Sequence, residues 1–231
     1  MLKTINNDKI LWIPLDLPPI EKEITLDNIN NFYNFVPNVS ELERKKFELQ
    51  KQHYKYAWNT VRLRTCNIPN ESWETQNLNE EWHWNEVSKK SCPKLINYIN
   101  TYLPFKSLKA VSIMSSNGFV PAHYDISQNS PLGEKINYID NEPSIYRLIV
   151  DGSIKEKSFY VYNKLIGKKY ITMPEESPGW IMGALSCVHG NDENIPHQKL
   201  LVYIMGNLDK EKHIALLENS YKKYKKFSIE L

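Results

Sequence analysis

The sequence predicts a mainly β protein with helices: a double-stranded β-helix, or jelly-roll, core with N-terminal helices packed on it. Three observations carry this. Residues 1–107 are mostly helix-forming text, 108–206 switch to short β-rich runs divided by turn residues, and 207–231 return to a helical pattern. A chain of 231 residues suits a single domain.

The elements follow in order. "KILWIPL" is rich in aliphatic and aromatic residues and reads as a strand. "ELERKKFELQKQHYKYAW" is a helix, with Ser40 placed to cap its start. "TVRLRTCNI" alternates as a strand does. "NEEWHWNEVSKKSCPKLINYINTYL" reads as one helix broken near Pro93, or two, because proline lacks the N–H that helix interiors need. Strands are then expected at "LKAVSIM", "GFVPAHYD", "SIYRLIVDG", "KSFYVYN", "KKYITM", "GWIMGA", "SCVHG" and "QKLLVYIMG". About eight such runs fit two packed sheets. The tail "DKEKHIALLENSYKKYKKFSIEL" reads as a C-terminal helix, and its "YKKYKKF" as a solvated helix face.

Composition narrows the function. Six Trp and fourteen Tyr can fill a sizeable core. Twenty-nine basic residues stand against 27 acidic ones, for a net charge of +2. Such balance gives no global attraction for a polyanion, so no nucleic-acid partner is expected. Cys66, Cys92 and Cys187 are odd in number and form no CxxC, which argues against a zinc knuckle or a disulfide framework. No run approaches the ~20 apolar residues of a membrane helix, and the first residues lack the apolar stretch of a signal peptide. The expectation is a soluble, cytoplasmic protein without a membrane partner.

The candidate chemistry begins at "VPAHYDIS". Side chains two apart on a strand point the same way, so His123 and Asp125 can face inward together. An imidazole and a carboxylate suit a divalent first-row metal. His189, in "WIMGALSCVHGN", sits at the end of an expected strand and would complete the set. Two histidines and one carboxylate on one face form the facial triad of non-haem Fe(II) oxygenases. The competing reading makes both histidines ordinary surface residues at strand ends.

An oxygenase of this type needs a two-electron donor, and 2-oxoglutarate would serve with O2. Its far carboxylate must be held by a fixed cation, because an unpaired charge is costly to bury. Arg147 in "SIYRLIVDG" and Lys199 in "QKLLVYIMG" are charges inside apolar strand text. Either can supply that cation, and either can also be an outward residue of an amphipathic strand. His53, His83, His197 and His213 read as surface residues, and Trp180 as core near the distal histidine.

"SIMSSNGFVPAH", Ser112 to His123, and "HGNDENIPHQKLLV" together resemble the aspartyl/asparaginyl β-hydroxylase branch of the Fe(II)/2-oxoglutarate-dependent dioxygenases. The first carries a serine, a glycine turn and a proline before the histidine: Ser112, Gly118, Pro121 and His123. The second carries His189, Asn194 and a basic residue, Lys199, ten positions after that histidine. The resemblance covers Ser112 to Gly206. It implies that His123, Asp125 and His189 bind Fe(II), and that Ser112, Arg147 and Lys199 hold 2-oxoglutarate. It also implies a hydroxylase whose substrate is an amino acid, free or in a peptide. Lys199 departs from the family's usual arginine, and 126–146 is longer than the usual connection. Two other readings stay open: a cupin-like metal protein without 2-oxoglutarate, and a non-enzymatic jelly-roll binding module.

Overall fold

A computed structural model of the chain describes residues 9–25, 59–66, 81–116, 120, 122–124, 143–154, 158–183, 187–192 and 199–231. These form mainly antiparallel β structure with few helices. The helix expected over "ELERKKFELQKQHYKYAW" lies outside the described residues.

Strands β1 (Ile10–Pro14), β2 (Asn59–Arg62), β3 (Arg64–Cys66) and β4 (Trp82–Trp84) come first. Helix α1 (Glu86–Ser91) and helix α2 (Pro93–Tyr102) follow. The Asn85 side chain caps α1, accepting the Ser88 N–H at 2.7 Å. Pro93 opens α2, where its missing N–H costs nothing. The break expected near Pro93 is therefore present. "WHW" is not helical, however. It is β4, paired with β3, and its burial alternates with the period of a strand: Trp82 buried, His83 exposed, Trp84 half-buried.

Next come β5 (Phe105–Ser116), β6 (Pro143–Gly152), β7 (Tyr160–Asn163), β8 (Gly167–Tyr170), β9 (Gly179–Gly183), β10 (Val188–Gly190) and β11 (Lys199–Leu208). Helix α3 (Lys210–Tyr224) is capped by Asp209. The tail is not helical to its end. A short 3-10 turn (Lys225–Phe227) leads into β12 (Ile229–Glu230), which pairs with β1.

Seven strands form the large sheet in the order β12-β1-β9-β6-β11-β5-β2, and β10-β7-β8 form a smaller one. Because strand side chains alternate, the large sheet has two different faces. One carries Ile13, Ile113, Tyr146, Leu148, Val202 and Ile204 and packs on Leu95 and Ile99 of α2 and Leu217 of α3. The other carries Trp12, Trp180, Met182 and Leu201 and packs on Val161 of the small sheet and on Phe159 and Ile171 beside it. Each such aliphatic side chain, fully buried, stabilises the fold by about 1.5–3 kcal/mol relative to exposure. Cys92 belongs to the first core, where burial pushes its thiol up to about 12 and makes it a packing residue.

Candidate functional site

His123 and His189 meet. Each donates its backbone N–H to the other's carbonyl at 3.0 Å, forming an antiparallel bridge beside β10. Residues paired this way point to the same face. Their imidazole ring centres stand 4.3 Å apart. His189 is 2% exposed, whereas His123 is half-buried.

The local sequence explains the meeting. The expected strand "GFVPAHYD" is, among its described residues, only this isolated bridge at His123, and beside it the Asn191 N–H donates to the Val120 carbonyl at 2.9 Å. Gly190 makes room for it. A Cβ there would lie 2.8 Å from the Val120 carbonyl oxygen and 3.0 Å from Tyr160 Oη. The glycine of "VHG" thus admits the chain that carries His123.

His189 faces the layer between the two sheets. Its partner across β7 is Val161, a core residue of that layer. Its ring lies 5.5 Å from Phe159, whose ring lies 6.2 Å from Trp180. Trp180 is fully buried, as expected of a core residue near the distal histidine. Directly opposite Trp180, on β6, is Arg147.

Arg147 is 5% exposed. Its register partner on the other side is Tyr203, and the guanidinium stands 4.9 Å over that ring. Tyr203 is in turn opposite Ser112 of β5. Ser112, Tyr203 and Arg147 therefore form one cross-strand row on the face that looks toward the small sheet. Lys199 opens β11 opposite Ser116 and Gly152; its side chain lies outside the described residues, as do Asp125 and Asn194.

Three neighbours of this layer carried no expectation. Tyr203 stacks on Arg147, Asn191 is 1% exposed beside His189, and Arg62 of β2 lies opposite Ser112 and is 9% exposed. A charge in apolar strand text is the signal that marks Arg147, and "TVRLR" carries the same signal for Arg62.

The remaining histidines divide. His83 is exposed, though on a strand. His53 and His197 lie outside the described residues. His213 is not a surface residue but fully buried on α3, with Nδ1 2.7 Å from the Tyr146 hydroxyl. Burial lowers the His213 pKa to about 4 and raises that of Tyr146 well above its usual value. The phenol thus keeps its proton beside a neutral ring.

On the outer side of the small sheet, Lys168 pairs with Asp192, and the Tyr170 hydroxyl donates to the same carboxylate. The Lys168 hydrogen bond, followed by that from Tyr170, holds the Asp192 carboxyl below its usual range.

No family model matches the chain, and no curated protein does. Two solved structures are partly similar in chain course. One is an oxidoreductase of the 2OG-Fe(II) oxygenase family from Burkholderia pseudomallei, with a TM-score of 0.39 and 8% identity over 71% of this chain and 77% of that one. The other is IDO from Bacillus thuringiensis, with a TM-score of 0.33 and 9% identity over 80% of this chain and 98% of that one. Likenesses this distant do not define a family.

Proposed function

We propose that the protein is an Fe(II)/2-oxoglutarate-dependent dioxygenase that hydroxylates an amino acid, free or in a peptide, on a double-stranded β-helix scaffold. The single observation that carries this reading is the convergence of His123 and His189. Metal–nitrogen bonds of about 2.1 Å put two adjacent ligand nitrogens about 3 Å apart. Two imidazoles with centres 4.3 Å apart fit that span. Nitrogen donors, with the Asp125 carboxylate two residues after His123, are the set a first-row divalent metal prefers.

The second support is the inward row. Arg147 is a buried guanidinium, able to take the far carboxylate of 2-oxoglutarate through two parallel hydrogen bonds. Ser112, two strands away in the same row, would contribute its hydroxyl. In this reading Arg147 is the principal cation and Lys199 an auxiliary one. A cupin-like centre without 2-oxoglutarate has no use for a buried cation there, so the burial of Arg147 favours the oxygenase. The likeness to the aspartyl/asparaginyl β-hydroxylase branch rests on the sequence segments alone.

Fe(II), when bound, supplies the activation of O2. The balanced reaction takes 2-oxoglutarate, O2 and a substrate C–H bond to succinate, CO2 and a C–OH bond. The protein's own part is to hold the cosubstrate at Arg147 and Ser112, to orient two imidazoles from one backbone bridge, and to exclude water with Phe159 and Trp180.

The test is Fe(II)-dependent release of succinate from 2-oxoglutarate, first without substrate and then against an amino-acid panel. The reading expects release in the wild type and none in His123→Ala or His189→Ala. Succinate release that persists in both variants would remove the metal assignment.

A further inference from the structure

We infer that Tyr160, Tyr170 and Asp192 form a receptor for a single organic cation, filled in this structure by the chain's own Lys168, and that its ligand is the ammonium or guanidinium of a lysine or arginine side chain in a peptide. The receptor itself does not rest on the function proposed above.

The register of the β7–β8 hairpin builds it. Tyr160 is opposite Tyr170, and Tyr162 opposite Lys168. Val161, between the two tyrosines of β7, is buried in the inter-sheet layer. By strand alternation Tyr160, Tyr162, Lys168 and Tyr170 therefore share the outer face of the small sheet. The rings of Tyr160 and Tyr170 stand with centres 6.2 Å apart and planes at 81°, as two walls of a corner. Lys168 Nζ lies in that corner, 4.1 Å from the centre of the Tyr160 ring and 5.2 Å from that of Tyr170. Asp192 forms the third side, accepting from Lys168 and from the Tyr170 hydroxyl. Ring faces carry negative potential and the carboxylate a full charge, so all three sides attract a cation.

Other lysines of this chain show the simpler arrangement. Lys223, Lys225 and Lys226 near the end of α3 each rest on one ring, those of Tyr224, Tyr221 and Phe227. Two rings and a carboxylate meet on one nitrogen at Lys168. The walls are also held independently of their occupant. β7 is the middle strand of the small sheet, and Tyr160 Oη would stand 3.0 Å from a Cβ at Gly190. Tyr170 is tied to Asp192 by its own hydroxyl. Lys168, by contrast, is on the end strand β8, directly after the turn at Gly167, and its side chain is 40% exposed. An exposed ion pair of this kind is held weakly, so a ligand with the same head group can replace it.

The surroundings set the ligand's character. Tyr162, on the same face, is 41% exposed and offers a peptide apolar surface beside the corner. Lys164 and Lys169 are close by in the hairpin, so a dense polycation is repelled and an isolated positive charge is favoured. Asp192 lies three residues after His189, yet His189 points into the layer on the other side of the sheet. A cation in the corner therefore belongs to a different residue from one reacting in the layer. Joined to the dioxygenase reading, the receptor selects a peptide over a free amino acid.

The experiment titrates the full-length protein, without metal, with three probes: Nα-acetyl-lysine amide, Nα-acetyl-arginine amide, and Nα,Nε-diacetyl-lysine amide, which keeps the length of lysine without its charge. Binding is read by calorimetry and by NMR of ring-labelled tyrosines, with Tyr160→Phe and Tyr170→Phe used to assign the two rings. At least one charged probe should bind the wild type and shift the signals of Tyr160 and Tyr170, and the diacetyl probe should bind about tenfold or more weakly. Lys168→Ala removes the competitor and should tighten binding about fivefold; Lys168→Gln, which keeps the side chain's length, should do the same and guards against a folding defect. Adding Asp192→Asn to either should reverse the gain.

Four results would overturn the inference: no gain in either Lys168 variant, equal binding of the diacetyl probe, shifts away from Tyr160 and Tyr170, or binding confined to the Lys168 variants, which would make the corner a closed staple. If the charged probes bind here while Fe(II)-dependent succinate release is absent, the dioxygenase reading fails and the receptor stands. The opposite pair of results removes the receptor alone.

Discussion

The large sheet uses the same strands for two unlike tasks. On the helix-facing side, alternate residues of β5, β6 and β11 are Val111, Ile113, Tyr146, Leu148, Val202 and Ile204, sealed by α2 and α3. On the other side, the residues between them include Ser112, Arg147 and Tyr203, and the opposing small sheet presents His189. Period-two alternation lets one strand serve an apolar core on one face and a layer of mixed apolar and polar residues on the other. Even the polar pair on the core side, Tyr146 and His213, is joined by a 2.7 Å hydrogen bond. The contrast teaches that residue parity sets the candidate site residues on one face only, and substitutions can test how far that face is separable from the helix-facing core.

The largest effect belongs to the site side. His189→Ala should reduce Fe(II)-dependent succinate release to background, with a far smaller effect on the melting temperature than on activity. An equally large loss of folding stability would make His189 a core residue and break the distinction.

On the helix-facing side the reverse is expected. Ile204→Ala removes a fully buried side chain and should cost about 2–5 kcal/mol in denaturant unfolding. Metal and 2-oxoglutarate affinity, measured well below the melting temperature, should stay near wild type.

Gly190→Ala probes the seam between the two sheets. The added methyl meets the Val120 carbonyl at 2.8 Å and must push that segment away. Metal affinity should fall about 10–100-fold, as when groups that orient metal ligands are lost. Isothermal titration of wild type and variant would read it, and unchanged affinity would separate the backbone bridge from the site.

His213 gives the core side a pH signature. Its folded pKa is lowered to about 4 by burial. Above the ordinary histidine range both folded and unfolded chains hold it neutral, and its full contribution to stability is present. As pH falls from about 6.5 toward 4, the unfolded chain takes up the proton first, and stability on the order of 3 kcal/mol is lost. His213→Leu should flatten the unfolding free energy across that window. An unchanged slope would show that folding does not shift the protonation of this ring.

The smallest effect lies on the exterior. Asp192→Asn breaks an exposed ion pair with Lys168 and should cost no more than about 1 kcal/mol at neutral pH.

Much of the β region was legible because its punctuation is local. Turn residues separate most of these strands from one another in the sequence. What was missed is non-local or short. β4 stood in front of helical text, so "WHW" was absorbed into the helix. β12 is two residues long and exists only because β1 offers it an edge. His213 was misplaced because lysines and glutamates surround it in sequence, yet with Leu217, Ser220 and Tyr224 it lies on the buried stripe of α3.

The placement of the candidate residues was partly readable in the same sense. Strand parity suggested that His123 and Asp125 could face inward together, and chemistry marked His123, His189 and Arg147. Their alignment required the strand order. β2 lies beside β5, and no local pattern states that neighbour, so Arg62 went unremarked although "TVRLR" displayed it. Gly190 was likewise silent until the positions of Val120 and Ala122 beside it gave it a reason.

The most direct test of the central claim is an anaerobic titration of the protein with Fe(II) and 2-oxoglutarate, followed by the visible charge-transfer band of a chelated 2-oxo acid. The account predicts a saturable band at one equivalent per chain, absent from His123→Ala and from His189→Ala, and requiring more 2-oxoglutarate in Arg147→Gln. A wild type without the band, or a band that survives both histidine substitutions, would contradict it.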